Sequence, residues 1–582
     1  MKKEFSLSNE KVMINFTAKY CDTNEKLLDS DGFKRILSAY YDRIKARNTN
    51  VYKYLVESFH SESKLIVEDI TNLFKLLTVV NAEEVSKIGT KYENLLSNKD
   101  YFINFIEDLY SFWRKLERYS IVHSTRMNEG LESTSFLDAN NQFSMLILSL
   151  YRKIEENVLG YKPSVYRQLP AGGNAGIIVN DNRWRLPNGY ESLKDIPFIG
   201  SIMIDPPFIS YPKKNTRAGV FNECYENPLK DCTINKDHFF CYPAKVGSLL
   251  AYIYFHRDFM AHGVTLCNLF EMARVEEYKG TKPDIVFVFG ARDNNTDIRT
   301  VFYDDTLNDI MMGLVSYGDA IDYFGYMKKM TLTLHNLIMI KRGYLPIHGA
   351  MVNIVMKNGK SANVIIMGDS GAGKSESLEA FRGLSEDYIS DMTIVFDDMG
   401  VVKLDENSKL FGYGTEIGAF VRLDDLDQGY AFKEIDRSIF MNPDKTNARL
   451  VMPVATYKEI IKGYPVDLFL YANNYEEVTD GMEEIEYFNN PEAAIEVFKD
   501  GARMAKGTTS EKGLVKSYFA NPFGPVQKIK ETDILIENYF KAMFDTGVKV
   551  GQIRTCLGIE GKEKEGPKNA AIKLFNIIKN FK

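Results

Sequence analysis

The sequence predicts a mixed α/β protein with a P-loop nucleotide-binding core and a mainly α-helical N-terminal extension. Three observations predict it. Gly368-Asp369-Ser370-Gly371-Ala372-Gly373-Lys374-Ser375 fits G-x-x-x-x-G-K-[ST], the phosphate-binding loop. Short apolar runs punctuated by Gly and Pro begin near residue 166 and read as strands. Residues 1–165 instead carry apolar side chains at helical spacing. A length of 582 residues suits two to four domains. The expected boundaries are 1–165 for a helical accessory domain, 166–320 for a mixed lobe and 321–582 for the nucleotide-binding lobe.

In chain order, Phe33–Val56, Tyr101–Leu116 and Phe143–Val158 show the helical stripe, and no catalytic motif falls among them. That segment is available for self-association or a protein partner. Near Leu169-Pro170-Ala171-Gly172-Gly173 the character changes. Ile177-Ile178-Val179, Ile202-Met203-Ile204 and Ile285-Val286-Phe287-Val288-Phe289 read as strands. Asn363-Val364-Ile365-Ile366-Met367 reads as the strand before the glycine loop, and Glu376–Phe381 opens the helix after it.

Composition excludes several classes. The net charge is −7 and no long basic run occurs, which argues against a nucleic-acid binder and against an anionic membrane surface. No run of about 18 apolar residues suggests a membrane span, and the N-terminus lacks the apolar core of a signal peptide. Six cysteines in so long a chain do not make a disulfide framework. A cytoplasmic location is expected.

The glycine loop has a specific physics. Its backbone N–H groups turn toward phosphate oxygens, Lys374 neutralises β/γ charge and the Ser375 hydroxyl reaches a divalent metal. Val395-Phe396-Asp397-Asp398 ends an apolar run in paired carboxylates, where a metal-binding Asp sits beside such a loop. Tyr323-Phe324-Gly325-Tyr326-Met327-Lys328-Lys329 is followed by Asn336 and by Ile347-His348-Gly349-Ala350. Asn447-Ala448-Arg449 leads into another apolar run, so that Arg449 is either an edge-strand arginine or a guanidinium fork for a phosphoryl group.

In this order the pieces resemble ATP-dependent phosphoenolpyruvate carboxykinase. The resemblance covers about 320–560 and rests on the Met-Lys-Lys run, on Lys329 and His348 standing 19 positions apart, on the Asp pair and on Asn447-Ala448-Arg449. The family's Gly-Thr-Glu stretch is matched to Gly507-Thr508-Thr509-Ser510-Glu511, its Phe-Gly turn to Tyr518–Gly524 and a Thr-Gly element to Asp545-Thr546-Gly547. The resemblance implies a bilobal carboxykinase-like fold. It also implies that Lys329, His348 and Asp398 hold Mn2+, that Ser375 holds Mg2+ with the phosphates of ATP, and that Asp397 orients water on a metal. Lys374 and Arg449 would stabilise the transferred group, and Tyr323 would sit at the carboxylate subsite. A lysine binds metal only as the neutral amine, so the pKa of Lys329 must be depressed. The implied reaction converts oxaloacetate and ATP to phosphoenolpyruvate, CO2 and ADP.

The chain departs from the family in places. After the His it reads Gly349-Ala350-Met351-Val352, Met356–Lys360 lengthen the next hairpin, and no Arg-Ser-Pro-Lys-Asp motif occurs. Arg217 is the substitute for that motif's substrate arginine, with Arg167 second. His348–Val352 and Gly368–Glu376 also resemble the kinase that phosphorylates a serine of the sugar-transport phosphocarrier protein. A kinase with a protein or small-metabolite acceptor is therefore the alternative, and a non-catalytic nucleotide-binding scaffold is the third reading.

Overall fold

The computed structural model describes residues 4–59, 65–123, 130–163, 169–182, 184–217, 221–293, 299–369, 371–374, 377, 381, 389–423, 426, 435–505 and 513–580. Ser370, Ser375, Arg167, the helix opening after Ser375 and the Gly507–Glu511 segment lie outside them, save Ser377 and Phe381. The chain is mixed α/β and divides into two compact units, Met1–Asp181 with Pro197–Phe208, and Asn182–Ile196 with Ile209–Lys582.

The first unit is built on helical stripes. Helix Asp31–Ala46 buries Phe33, Ile36, Leu37, Tyr40, Tyr41 and Ile44, one face at 3.6-residue spacing, and the Ser30 hydroxyl caps it by accepting from Phe33 N–H at 3.1 Å. Helix Lys99–Lys115 buries Phe102, Phe105, Ile106, Leu109, Tyr110 and Trp113 against it. The unit also holds strands, which helical periodicity does not announce. Phe5–Ser8 pairs antiparallel with Lys11–Asn15, which runs parallel to Glu117–His123, itself parallel to Ala175–Asn180. Phe198–Ile204 adds antiparallel to the last.

Arg118 joins the helices to this sheet. It is 3% exposed, and its guanidinium donates to the carbonyls of Trp113, Arg114 and Leu116 at the helix end and of Gly172 beyond it. The orphan carbonyls of a helix C-terminus are thereby satisfied by one side chain. Burial pushes the Arg118 guanidinium down to about 10.

The second unit carries two larger sheets. In the first, Leu249–His256, Ile285–Asp293 and Ile310–Ser316 run parallel, with Phe239–Val246 antiparallel on one side and Thr300–Asp305 on the other. The second has eight strands in the order Tyr464–Pro465, Leu410–Gly414, Ile389–Leu404, Leu345–Met356, Ser361–Met367, Leu468–Asn473, Lys549–Arg554, Ile485–Tyr487. A smaller antiparallel sheet includes Gly418–Arg422, Arg449–Pro453 and Ile439–Met441. The expected strands at Ile177, Ile202, Ile285 and Asn363 all fall on strands.

Helix Phe324–Lys341 is buried on every side. From Phe324 to Ile340 each residue is buried except Lys329. A helix buried all round belongs inside a core, and Lys329 is the one partly accessible side chain on it before the exposed Lys341 at its end.

Replacing Arg118 with Met removes its donors and leaves buried carbonyls unpaired, so unfolding free energy should fall by about 2–4 kcal/mol in a denaturant titration. A loss within error would show that water satisfies those carbonyls instead.

Candidate active site

Strand pairing assembles the site. Leu345–Met356 lies between Ile389–Leu404 and Ser361–Met367, and Gly349 is opposite Asp398 on one side and Met367 on the other. Gly368 N–H donates to the His348 carbonyl at 3.0 Å, so the glycine segment starts at the histidine's own backbone. Lys328 and Lys329 arrive from the buried helix.

Their side chains meet at one carboxylate. Asp398 Oδ2 accepts from Lys329 Nζ at 2.6 Å and pairs with Lys328 Nζ at 2.6 Å, while Oδ1 is 3.0 Å from His348 Nε2. Burial works against the charge on Asp398, but Lys328, Lys329 and His348 outweigh it and hold the carboxyl well below its usual range. Burial, reinforced by Lys328 and opposed by Asp398, pushes the Lys329 ammonium down to about 8. Burial pulls Lys328 down as well, yet Asp398 and Glu416 raise it above an ordinary lysine. Two adjacent lysines are thus driven apart in pKa by position alone.

His348 has an acceptor on each nitrogen. Nδ1 is 2.7 Å from the Ala520 carbonyl, and Nε2 faces Asp398. A neutral imidazole has one N–H and can satisfy one of the two. Burial, Lys329 and Lys374 push the imidazole below its ordinary value against the pull of Asp398, which disfavours the doubly protonated form. His348 and Asp398 would resolve the conflict by holding a divalent cation, with the Ala520 carbonyl accepting Nδ1–H as the outer partner that fixes the tautomer. Lys329, His348 and Asp398 therefore fit a metal, and two nitrogen donors favour Mn2+ over Mg2+. Among the described residues no group of three or more His, Cys, Asp or Glu is arranged for a metal; here a lysine would be the third donor.

The glycine segment continues from this point. Asp369 Oδ1 is 3.6 Å from His348 Nδ1, and its Oδ2 accepts from Arg503 Nε at 2.9 Å. Lys374 Nζ folds back onto the Gly368 and Asp369 carbonyls at 2.7 and 3.1 Å. Gly371 accepts from Asn474 Nδ2 at 2.9 Å, and the Ala372 carbonyl from Thr555 Oγ1 at 2.8 Å. Gly373 has φ +95°, and a Cβ there would stand 2.6 Å from the Thr555 hydroxyl, so only glycine fits.

Two aromatic rings gather the remaining cations. Phe523 has Lys329 Nζ at 4.5 Å and the Arg217 guanidinium at 5.1 Å from its centroid, with His348 edge-on at 5.9 Å. Phe420 has Arg449 at 5.2 Å, Lys328 at 5.6 Å and the Tyr323 ring at 6.0 Å. Lys329, His348 and Asp398 therefore touch, Asp369 and Lys374 adjoin them, Arg217 shares the Phe523 ring with Lys329, and Tyr323 and Arg449 gather at Phe420. Asp397 pairs in register with Ala350, one step from Asp398. Asp545-Thr546-Gly547 forms the turn between helix Ile529–Asp545 and strand Lys549–Arg554.

Two residues join the site that no motif singled out. Glu416 is 1% exposed and 3.4 Å from Lys328, and burial pushes its carboxyl up to about 7 against the pull of Lys328. Arg503 steadies Asp369. It stands on the short strand Ala502–Met504, just after helix Pro491–Asp500, and carries no local signal.

No protein-family model matches the chain, and no curated protein sequence matches it.

Only the neutral amine of Lys329 can ligate a metal, so Mn2+ affinity should rise with pH through about 8 and fall below it. Manganese titrations between pH 6.5 and 9 check this, and Lys329→Met should remove the step near 8; a step that survives belongs to another group. Asp398→Asn leaves Lys328 with Glu416 as its one carboxylate and should cost about 3–5 kcal/mol of folding stability, read by denaturant unfolding.

Proposed function

We propose that this chain is a carboxykinase-like phosphotransferase. It would decarboxylate oxaloacetate and pass the γ-phosphoryl group of ATP to the resulting enolate. The single observation that carries the reading is Asp398 gathering Lys329 and His348 within 3.0 Å, directly against the Gly368 end of the glycine segment. Metal-type donors and a phosphate-type loop sharing one strand register are what a phosphoryl transfer to an anionic acceptor requires.

In this reading oxaloacetate breaks its C–C bond to the departing CO2 and leaves an enolate. The enolate oxygen attacks the γ-phosphorus, the bond to the β-phosphate oxygen breaks and ADP leaves. Lys329, His348 and Asp398 would hold Mn2+ and Ser375 would hold Mg2+, ions that would supply charge neutralisation to the enolate and the phosphates. Lys374 would turn from the Gly368 and Asp369 carbonyls to the β/γ-phosphate oxygens. Arg217, held over Phe523 beside Lys329, suits the substrate carboxylate and takes the role that the missing Arg-Ser-Pro-Lys-Asp motif leaves open. Tyr323 and Arg449, packed on Phe420, suit the acceptor side.

One observation favours a second reading, a kinase with a hydroxyl acceptor. Glu416, pushed up to about 7, has the pKa of a general base, and a decarboxylating enzyme needs none for its acceptor.

Coupled turnover with oxaloacetate, Mn2+ and each of ATP, GTP and pyrophosphate tests the choice. Phosphoenolpyruvate should form with one donor and vanish in Lys374→Ala, and Arg217→Gln should raise KM for oxaloacetate by about tenfold or more, the worth of one charge-assisted contact. ATP consumption without phosphoenolpyruvate, lost in Glu416→Gln, would move the assignment to the kinase.

A further inference from the structure

We propose a second anion site in this protein, at the carboxyl ends of Leu249–His256, Ile285–Asp293 and Ile310–Ser316, built for a small phosphoryl-type oxyanion. These three strands are parallel neighbours, and in open α/β sheets ligands settle outside the carboxyl ends of such strands. Each strand ends in chemistry. The first delivers His256 and Arg257, the second Arg292, and the third is followed at once by Tyr317.

The geometry concentrates positive charge there. His256 is 5% exposed, with the His238 ring edge-on at 5.6 Å and the Tyr317 ring at 5.1 Å. The Arg292 guanidinium lies over Tyr317 at 5.0 Å. Arg257 Nε is buried with no hydrogen-bond partner. Neither Arg257 nor Arg292 forms an ion pair among the described residues. The carboxylates at these strand ends are engaged: Asp258 accepts from the Tyr317 hydroxyl at 2.6 Å and lies 3.6 Å from His256 Nδ1, and Asp293 pairs with Arg299. Guanidinium groups that form no ion pair in a half-buried cluster suit an anion from solution.

His256 has a donor to offer. Asp258 N–H donates to His256 Nδ1 at 3.2 Å, which places the imidazole proton on Nε2. Burial, His238 and the two arginines hold the imidazole down to about 4 against the pull of Asp258, so it stays a neutral donor.

The backbone is shaped for the same purpose. The register between Ile285–Asp293 and Ile310–Ser316 shifts between Phe289 and Ala291, a bulge centred on Gly290 at φ +84°. A Cβ at Gly290 would stand 2.6 Å from the Phe259 ring and 3.1 Å from His256 Cβ. The bulge presses the Arg292 strand end onto His256, as bulges beside sites re-aim side chains. Donors arriving from separate strand ends suit a tetrahedral oxyanion better than a planar carboxylate. These residues stand apart in sequence from the Lys329, His348 and Asp398 centre, and the proposal does not depend on the reaction assigned there.

Isothermal titration of the full chain bearing Lys374→Ala with inorganic phosphate and with methyl phosphate tests the site, since that background weakens binding at the glycine segment. Saturable phosphate binding is expected, weakened about tenfold by Arg292→Ala or Arg257→Gln and partly kept by Arg292→Lys. Arg292 is exposed, so its variants test binding and not folding. Equal affinity for methyl phosphate would identify a phosphate ester as the ligand, and preference for the inorganic ion would identify free phosphate. Absence of saturable binding in the Lys374→Ala chain, or binding that Arg292→Ala leaves intact, overturns the site.

Discussion

The carboxylate of Asp398 is the interaction on which the candidate site depends. Two lysines, consecutive on one helix, and a histidine from a neighbouring strand all converge on its two oxygens. Lys328 is 1% exposed on a helix buried on every side, a position closed to an unpaired ammonium. Asp398 is the counter-charge that lets both lysines enter the core. It also separates them. Lys328 gains Glu416 as a second partner and stays charged, while for Lys329 burial and a like-charged neighbour outweigh Asp398 and move it toward the neutral amine.

The sheet fixes where this happens. His348 touches Asp398 through its side chain and Gly368 through its backbone carbonyl, so the nitrogen donors and the glycine segment share one residue. The other face of the imidazole is set by the Tyr518–Phe523 turn, where Phe519 and Ala520 both take positive φ, at 53° and 45°. Such a backbone is strained for residues with a Cβ. It aims the Ala520 carbonyl at His348 Nδ1 and seats Phe523 under Lys329 and beside Arg217. Strain in the turn thus orients the histidine and brings the cations to one ring.

Legibility from sequence tracked the range of the interaction. Lys374 and Asp398 stood out locally, in a glycine loop and a paired-carboxylate run, whereas Lys329 and His348 stood out only through the resemblance to the carboxykinase family. The Ile177, Ile202, Ile285 and Asn363 strands were readable locally too, as apolar runs bounded by turn residues. The strands Phe5–Ser8 and Lys11–Asn15 were not, because they are short and packed among helical stripes. Glu416 and Arg503 were missed because a lone carboxylate or guanidinium gains meaning only from its partner, and those partners lie far away in the chain. The cluster around His256 was illegible for a further reason: its donors come from three strand ends that only sheet topology makes neighbours.

The sequence by itself determined the α/β class, the segment that begins at Gly368 and the residue types offered for metal and phosphate, since these follow from local spacing and backbone chemistry. Tertiary structure alone decided that Lys328 is held charged beside Lys329, that Arg217 stands over Phe523, and that a buried Glu416 faces the lysines. Those outcomes depend on burial and on charges brought close from distant parts of the chain. Desolvation and Coulomb energy are properties of position in the folded molecule, and no local pattern of residues records them.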